Sequence, residues 1–205
     1  MAFFKKILIL ISTLASVGCV TTPANEESTF GFLGNNKEIS LGAQTILGHA
    51  IGIANLQSVQ TSLGPAYVFQ EGQPGKLTRG VCYRGTDKTL LAFESGAAGG
   101  PEGIITDIRL IRAGTPYKYS RHCAPSKEVL RTTAFADQTG LMMSRDRLEK
   151  KLGSPDKSNK DLLSYKYVST RKYGTQKEDT VSYVNIKLTK QVPREISVSR
   201  VTEIY

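Results

Sequence analysis

Residues 140–155 read GLMMSRDRLEKKLGSP and contain the signals of a short helix whose two ends are both marked. Ser144 is a favourable N-cap, because its side-chain oxygen can accept a hydrogen bond from a free backbone N–H of the first turn. Leu148 and Leu152 lie four residues apart and therefore share one face of the helix. Gly153 can take the left-handed conformation that ends a helix, and Pro155 prevents its continuation. The stretch predicts a short helix with one apolar face.

The same pattern occurs earlier in the chain, so the sequence predicts an internal repeat. Four positions of the first copy recur 89 residues later in the second. The matching pairs are Asn55 with Ser144, Val59 with Leu148, Leu63 with Leu152, and Gly64 with Gly153. Asn55, like Ser144, is a residue type that caps helices well. We therefore expect one helix in each copy.

Three strand patterns follow each predicted helix. Turn-forming residues separate them, as they do between antiparallel strands. The segments are 80–84, 89–94 and 104–112 in the first copy and 162–169, 180–189 and 194–205 in the second. The predicted fold class is α+β, with two tandem repeats over residues 37–126 and 127–205. Each repeat is expected to pack a short helical part on a three-stranded antiparallel sheet, since stacked layers bury their apolar faces.

The N-terminus contains Lys5 and Lys6, an apolar run over residues 7–17, and then Gly18 and Cys19. These are the parts of a secretory signal, and the run is too short to cross a bilayer as a helix. We expect residues 1–18 to be a signal peptide and Cys19 to carry lipid. Ordinary signal cleavage without lipid is the alternative. Residues 19–36 then form the lipidated N-terminus and a polar tether with a reach of roughly 23 Å.

The cysteine count agrees with this interpretation. The chain has three cysteines, an odd number for an exported protein. If Cys19 carries lipid, Cys82 and Cys123 remain as a pair that can form a disulfide in an oxidising compartment. Two unpaired thiols are the alternative.

The positive charge is concentrated in the second half of the chain. The formal net charge is +9, and residues 121–205 hold 17 basic and 10 acidic side chains. Residues 20–120 hold 8 of each. This asymmetry predicts an anionic partner for the second half: lipid headgroups, an acidic wall polymer or an acidic protein face. A solvated basic surface that keeps the protein soluble is the alternative.

Aromatic and basic residues alternate in the last third of the chain, as they do at recognition surfaces. The predicted partner-binding residues are Tyr165, Lys166, Tyr167, Arg171, Lys172, Tyr183 and Lys187. The tyrosines could instead cover a small core. Nucleic acid is not expected as a partner, because an exported protein rarely meets it.

The sequence offers little for catalysis. Its two histidines, His49 and His122, are too few and too distant to complete a zinc site with the cysteines. A disulfide would also remove the thiol from any Cys/His nucleophilic pair. We expect no enzyme activity, no cofactor, no metal and no small-molecule substrate.

These motifs resemble the SmpA/OmlA, or BamE-like, family of outer-membrane lipoproteins. The resemblance rests on Gly140 to Ser144, Leu148, Leu152-Gly153-Ser154-Pro155 and Tyr165-Lys166-Tyr167. It covers about 75 residues of the second copy, whereas the family usually has a single such domain.

The resemblance implies a lipid-anchored, periplasm-facing protein of the outer membrane. It would bind an envelope protein or an anionic envelope component during outer-membrane assembly or maintenance. Duplicated domains of similar architecture also occur in protein inhibitors of β-lactamase. The alternative function is therefore a secreted or anchored protein inhibitor.

Overall fold

The structure is a computed structural model that describes residues 38–74, 76–100, 102–173 and 175–204. The predicted signal peptide, Cys19 and the tether up to residue 36 lie outside these residues.

The described chain is built mainly from strands. Its two α-helices are α1 (Leu56–Leu63) and α2 (Arg145–Leu152). Its eleven strands are β1 (Thr45–Ile46), β2 (His49–Ala50), β3 (Phe69–Glu71), β4 (Thr78–Arg84), β5 (Leu90–Ser95), β6 (Asp107–Ile111), β7 (Ala124–Pro125), β8 (Lys157–Asn159), β9 (Leu162–Tyr173), β10 (Gln176–Thr189) and β11 (Val192–Ile204).

One sheet contains nine of these strands. Its order is β3-β4-β5-β6-β11-β10-β9-β8, and β7 pairs with β4 outside this path. All the pairs are antiparallel except that of β4 with β7, which is parallel. β1 and β2 form a separate two-stranded hairpin.

The predicted fold class, two tandem repeats with a three-stranded sheet each, is wrong. The last strand of the first meander, β6, pairs with the last strand of the second, β11, over five residue positions. Ile108 lies opposite Val198 within this seam. The pairing joins what would have been two exposed sheet edges, and exposed edges carry unpaired backbone groups that favour association. The result is one mainly-β sheet with both helices on the same face.

Both helices form where the capping residues predicted them. The Asn55 side chain accepts a hydrogen bond from the Ser58 N–H at 2.8 Å, and Ser58 Oγ accepts one from the Asn55 N–H, which together make a capping box. Ser144 accepts from the Arg147 N–H in the same way. Gly64 and Gly153 end the two helices with positive φ angles of 97° and 82°, which glycine adopts without steric cost.

The main core lies between the sheet and the helices. Leu56 and Val59 of α1 and Leu148 and Leu152 of α2 are buried there. They pack on alternate side chains of the central strands, which define the helix face of the sheet. The largest fully buried side chains are Tyr83, Tyr165, Phe93 and Phe135.

A second, smaller core lies on the opposite face at the β3–β5 end of the sheet. Cys82 and Cys123 are joined by a disulfide there, with their Cα atoms 4.5 Å apart. The Phe69 and Tyr119 rings stack beside them with centroids 3.8 Å apart. The segment that carries Tyr117 and Tyr119 thereby covers this end of the sheet.

Candidate functional site

The face of β6, β9, β10 and β11 that points away from the helices carries the most accessible candidate site, and we call it the open face. Tyr183 on β10 lies opposite Lys166 on β9, and both side chains point to this face. One row further along, Val181 lies between Val168 and Val201, and Val201 is 44% exposed. The open face therefore combines an aromatic ring, three aliphatic side chains and an exposed lysine.

Three of the predicted partner-binding residues lie on the open face: Lys166, Tyr183 and Lys187. Lys166 is exposed, whereas Tyr183 and Lys187 are half-buried. The Lys187 ammonium is already paired, since its Nζ lies 2.8 Å from Glu195 Oε2. Lys166 has no such ion pair within the part of the chain that the structure describes.

Tyr165 and Tyr167 point to the helix face and belong to the main core. Tyr165 is fully buried and Tyr167 is 5% exposed. Burial raises the pKa of each phenol to about 12. A partner on the open face would not touch these two rings. They affect that face only indirectly, because their packing in the core holds β9 in place.

Arg171 lies on the helix face, beyond the end of the core. It lines a cavity of about 190 Å³ together with Arg200 on β11. Ser182 donates a hydrogen bond to Gln44 Oε1 across the floor of this cavity at 3.5 Å. The backbone of Lys172 is part of β9 and lies opposite Lys177. The predicted set is thus divided between two faces of the sheet.

The outer edge of β9 is unpaired along most of its length within the described chain, and we call residues 165–173 of this strand the β9 edge. β8 pairs only with residues 162–164. The Ser164 carbonyl accepts from the Asp156 N–H at 2.8 Å, and the Lys166 N–H donates to Asp156 Oδ2 at 2.6 Å. No described strand pairs with the outer side of β9 beyond that point.

Sequence reasoning missed a row of charged residues that crosses four strands, β5, β6, β11 and β10, on the same side of the sheet as the open face. Arg109 Nε lies 3.2 Å from Glu94 Oε1, and Arg109 Nη1 lies 3.6 Å from Glu195 Oε1. Lys187 continues the row on the far side of Glu195. The alternation of Asp107 and Arg109 with apolar residues placed them on a polar face. Their partners, Glu94 and Glu195, could not be predicted, because a local sequence pattern does not show which strands lie side by side.

Burial is the largest influence on the pKa of two carboxyls on this side of the sheet, Glu94 and Asp107. It raises the pKa of Glu94, although the Arg109 guanidinium pulls it down. It also raises the pKa of Asp107, against a hydrogen bond from Thr106 Oγ1 at 2.8 Å. Tyr117 donates to Glu94 Oε1 at 3.3 Å, which closes the row at the β5 side. These groups tie strands together through the ion pairs of Arg109 and through charge-assisted hydrogen bonds from Lys187 to Glu195 and from Tyr117 to Glu94.

No cluster of three or more potential metal ligands occurs among the residues that the structure describes. Within the same residues, no helix is both long and apolar enough to cross a membrane. The Cys82–Cys123 disulfide engages both thiols that the sequence offered to a Cys/His pair. His49 is buried against Phe93, with ring centroids 5.6 Å apart.

Comparison with known proteins gives no relative for this chain: no protein-family model, no curated protein and no solved structure matches it. The resemblance to the BamE-like lipoproteins therefore rests on the short motifs quoted above.

Proposed function

We propose that this chain is a non-enzymatic outer-membrane lipoprotein that binds an envelope protein during outer-membrane assembly or maintenance. Cys19 would anchor it on the periplasmic side, and residues 19–36 would hold the sheet within roughly 23 Å of the membrane surface. The N-terminal signal and the motif resemblance support the compartment. The open face and the β9 edge support the binding role.

The observation that carries the proposal is the position of Tyr183 beside Lys166 on a sheet face that neither described helix covers. The rest of the open face near them is aliphatic, with Val181 between Val168 and Val201. Interfaces typically have an apolar and aromatic centre with a polar, charged rim. Tyrosine is also enriched among the residues that contribute most binding energy.

Site-specific photo-crosslinking in intact cells tests the proposal. A photoreactive phenylalanine analogue at Tyr183 or Val201 should capture the same envelope protein, identified by mass spectrometry. Ile53, an apolar residue outside the open face that is 68% exposed, is the matched control position. Identical capture from all three positions would contradict a specific role for the open face. A tight one-to-one complex with a soluble enzyme would favour the inhibitor alternative.

The anchoring step needs its own experiment. Cells given a fatty-acid analogue should label the wild-type chain, and the Cys19→Ala variant should lose the label. An unlabelled wild-type chain with a cleaved N-terminus would support ordinary secretion. Labelling that persists in the variant would place the lipid on another residue.

A further inference from the structure

We propose that the β9 edge binds an extended, acidic protein segment by adding it to the sheet as a further strand. This inference deepens the proposed function, since it names the kind of segment that the partner would present. Strand addition uses main-chain hydrogen bonds for affinity and the flanking side chains for specificity.

The backbone geometry of β9 fixes which groups are available. The Ser164 carbonyl and the Lys166 N–H both point outward, toward Asp156. β9 pairs with β10 without a register shift from Leu162 to Tyr173. Backbone groups alternate sides along a regular antiparallel strand, so the outward set continues at Val168, Thr170 and Lys172. An added strand along residues 166–172 would run for about 23 Å.

β8 already uses the same edge. It runs antiparallel to the first residues of β9, and Arg145 of α2 supports it from behind by donating to Ser158 Oγ at 2.6 Å and to the Asn159 carbonyl at 3.0 Å. A partner segment would continue in line with β8, beyond Asp156. The outer side of β9 thus already accepts a strand at residues 162–164, immediately before the β9 edge.

The charges beside the edge select an acidic segment. β9 reads LLSYKYVSTRKY, with three basic residues and no acidic one. Lys166 points to the open face and Arg171 to the helix face, and neither forms an ion pair within the described chain. Acidic side chains on either face of an added strand would therefore meet a cation that is not held in an ion pair by a described carboxylate.

Two carboxylates of the chain itself already lie at this edge. Asp156 accepts from the Lys166 N–H, and Glu38 accepts from Ser169 Oγ at 3.3 Å. A second copy of the chain is the less suitable occupant, because two β9 strands would bring like charges together, which destabilises a strand pair. An acidic segment of another protein could form hydrogen bonds with the outward backbone groups of the β9 edge and would also match its positive charge.

Amide hydrogen exchange on the full chain tests the proposal, with a blocked ten-residue peptide of alternating threonine and glutamate as the probe. The peptide should slow exchange at Val168, Thr170 and Lys172. Val168→Pro removes one outward N–H without breaking a bond to β10, and should weaken peptide binding at least tenfold relative to Val168→Ala. The same peptide with lysine in place of glutamate should bind at least tenfold more weakly.

Each contrary result has a distinct meaning. Equal binding of the acidic and basic peptides, or of the proline and alanine variants, would overturn strand addition at this edge. Slow exchange at these three N–H groups in the free protein would overturn it too, because the edge would already be paired. A dimer in sedimentation that Val168→Pro abolishes would make a second copy the occupant.

The two proposals can fail separately. If the peptide binds but crosslinking from Tyr183 captures no envelope protein, the edge inference stands and the proposed function fails. If crosslinking from Tyr183 captures the same protein in the Val168→Pro and Val168→Ala backgrounds, the function stands and the edge is not the contact.

Discussion

The guanidinium of Arg109 on β6 lies 3.6 Å from the carboxylate of Glu195 on β11, across the seam that joins the two halves of the sheet. The same guanidinium lies 3.2 Å from Glu94 on β5. The Glu94 and Glu195 side chains are 11% and 8% exposed. A single arginine therefore compensates two nearly buried carboxylates from different parts of the chain.

Arg109→Ala should lower the free energy of unfolding by about 3 kcal/mol, because it leaves the nearly buried Glu94 carboxylate without its counter-charge, whereas Glu195 keeps its ion pair with Lys187. Urea denaturation at neutral pH measures the change. Arg147→Ala, which removes an exposed arginine of α2, is the matched control and should change stability by at most about 0.5 kcal/mol. Equal losses in the two variants would contradict the role assigned to Arg109.

The Arg109→Ala defect should shrink as the pH falls. Burial raises the pKa of Glu94 and Arg109 opposes that effect, so removing Arg109 lets the pKa rise further. A carboxyl whose pKa is higher in the folded state than in the unfolded state stabilises the fold most when it is protonated. Denaturation curves of both proteins between neutral pH and pH about 4 would reveal the convergence, and a constant difference would argue against it.

Loss of the disulfide should destabilise the β3–β5 end of the sheet. Cys82 and Cys123 are separated by 41 positions, and closing a loop of that size stabilises the fold by about 4 kcal/mol in the chain-entropy model. The double variant Cys82→Ser, Cys123→Ser should show this loss in guanidinium denaturation. Treatment with reductant should bring the wild-type protein to the same midpoint and leave the variant unchanged. A reductant-insensitive wild-type midpoint would refute the prediction.

Gly85→Ala should lower the free energy of unfolding by about 3 kcal/mol, since overpacking against rigid atoms costs that order of energy. A Cβ at this position would lie 1.9 Å from the Val129 carbonyl oxygen, and backbone cannot move aside as a side chain can. At Gly96 the nearest atom to a new Cβ is 3.4 Å away, so Gly96→Ala should be tolerated. Thermal unfolding of both variants is the measurement, and a harmless Gly85→Ala would show that the turn can shift.

Alkaline titration should separate the tyrosines into at least two groups. Burial raises the pKa of Tyr83, Tyr165 and Tyr167 to about 12, against about 10 for an unperturbed phenol. The neutral, buried phenols make their full contribution to the free energy of unfolding below pH about 10. That contribution is lost as the pH rises toward about 12, because the phenols ionise more readily in the unfolded chain. Tyrosinate absorbance should show a late phase that Tyr83→Phe reduces. A single step near pH 10 for all the tyrosines would contradict this.

The local elements could be predicted from the sequence because their signals are local. Ser144 and Gly153 mark the two ends of α2, and the structure has the helix over Arg145–Leu152. β4, β5, β6, β9, β10 and β11 each overlap a predicted strand. Capping residues and alternation act within a few positions, so one sequence carries enough information to place them.

The assembly could not be predicted in the same way. Pairing of Ile108 with Val198 joins residues that are distant in the chain, and no local pattern favours it over two separate sheets. The sequence also leaves open which side chains of β9 face the core, because both alternating sets in residues 162–168 include apolar residues. Packing in the tertiary core decides that Leu163, Tyr165 and Tyr167 face inward and that Lys166 faces outward.

The place of β11 in the sheet has a consequence for how the protein is made. β11 is the last strand of the described chain, yet it lies between β6 and β10 in the middle of the sheet. While the chain emerges from a ribosome or a secretion channel, the β4–β6 and β8–β10 meanders can form but cannot join. Each would wait with an unpaired edge until β11 arrives, so a chaperone that shields strands would be needed most in that interval.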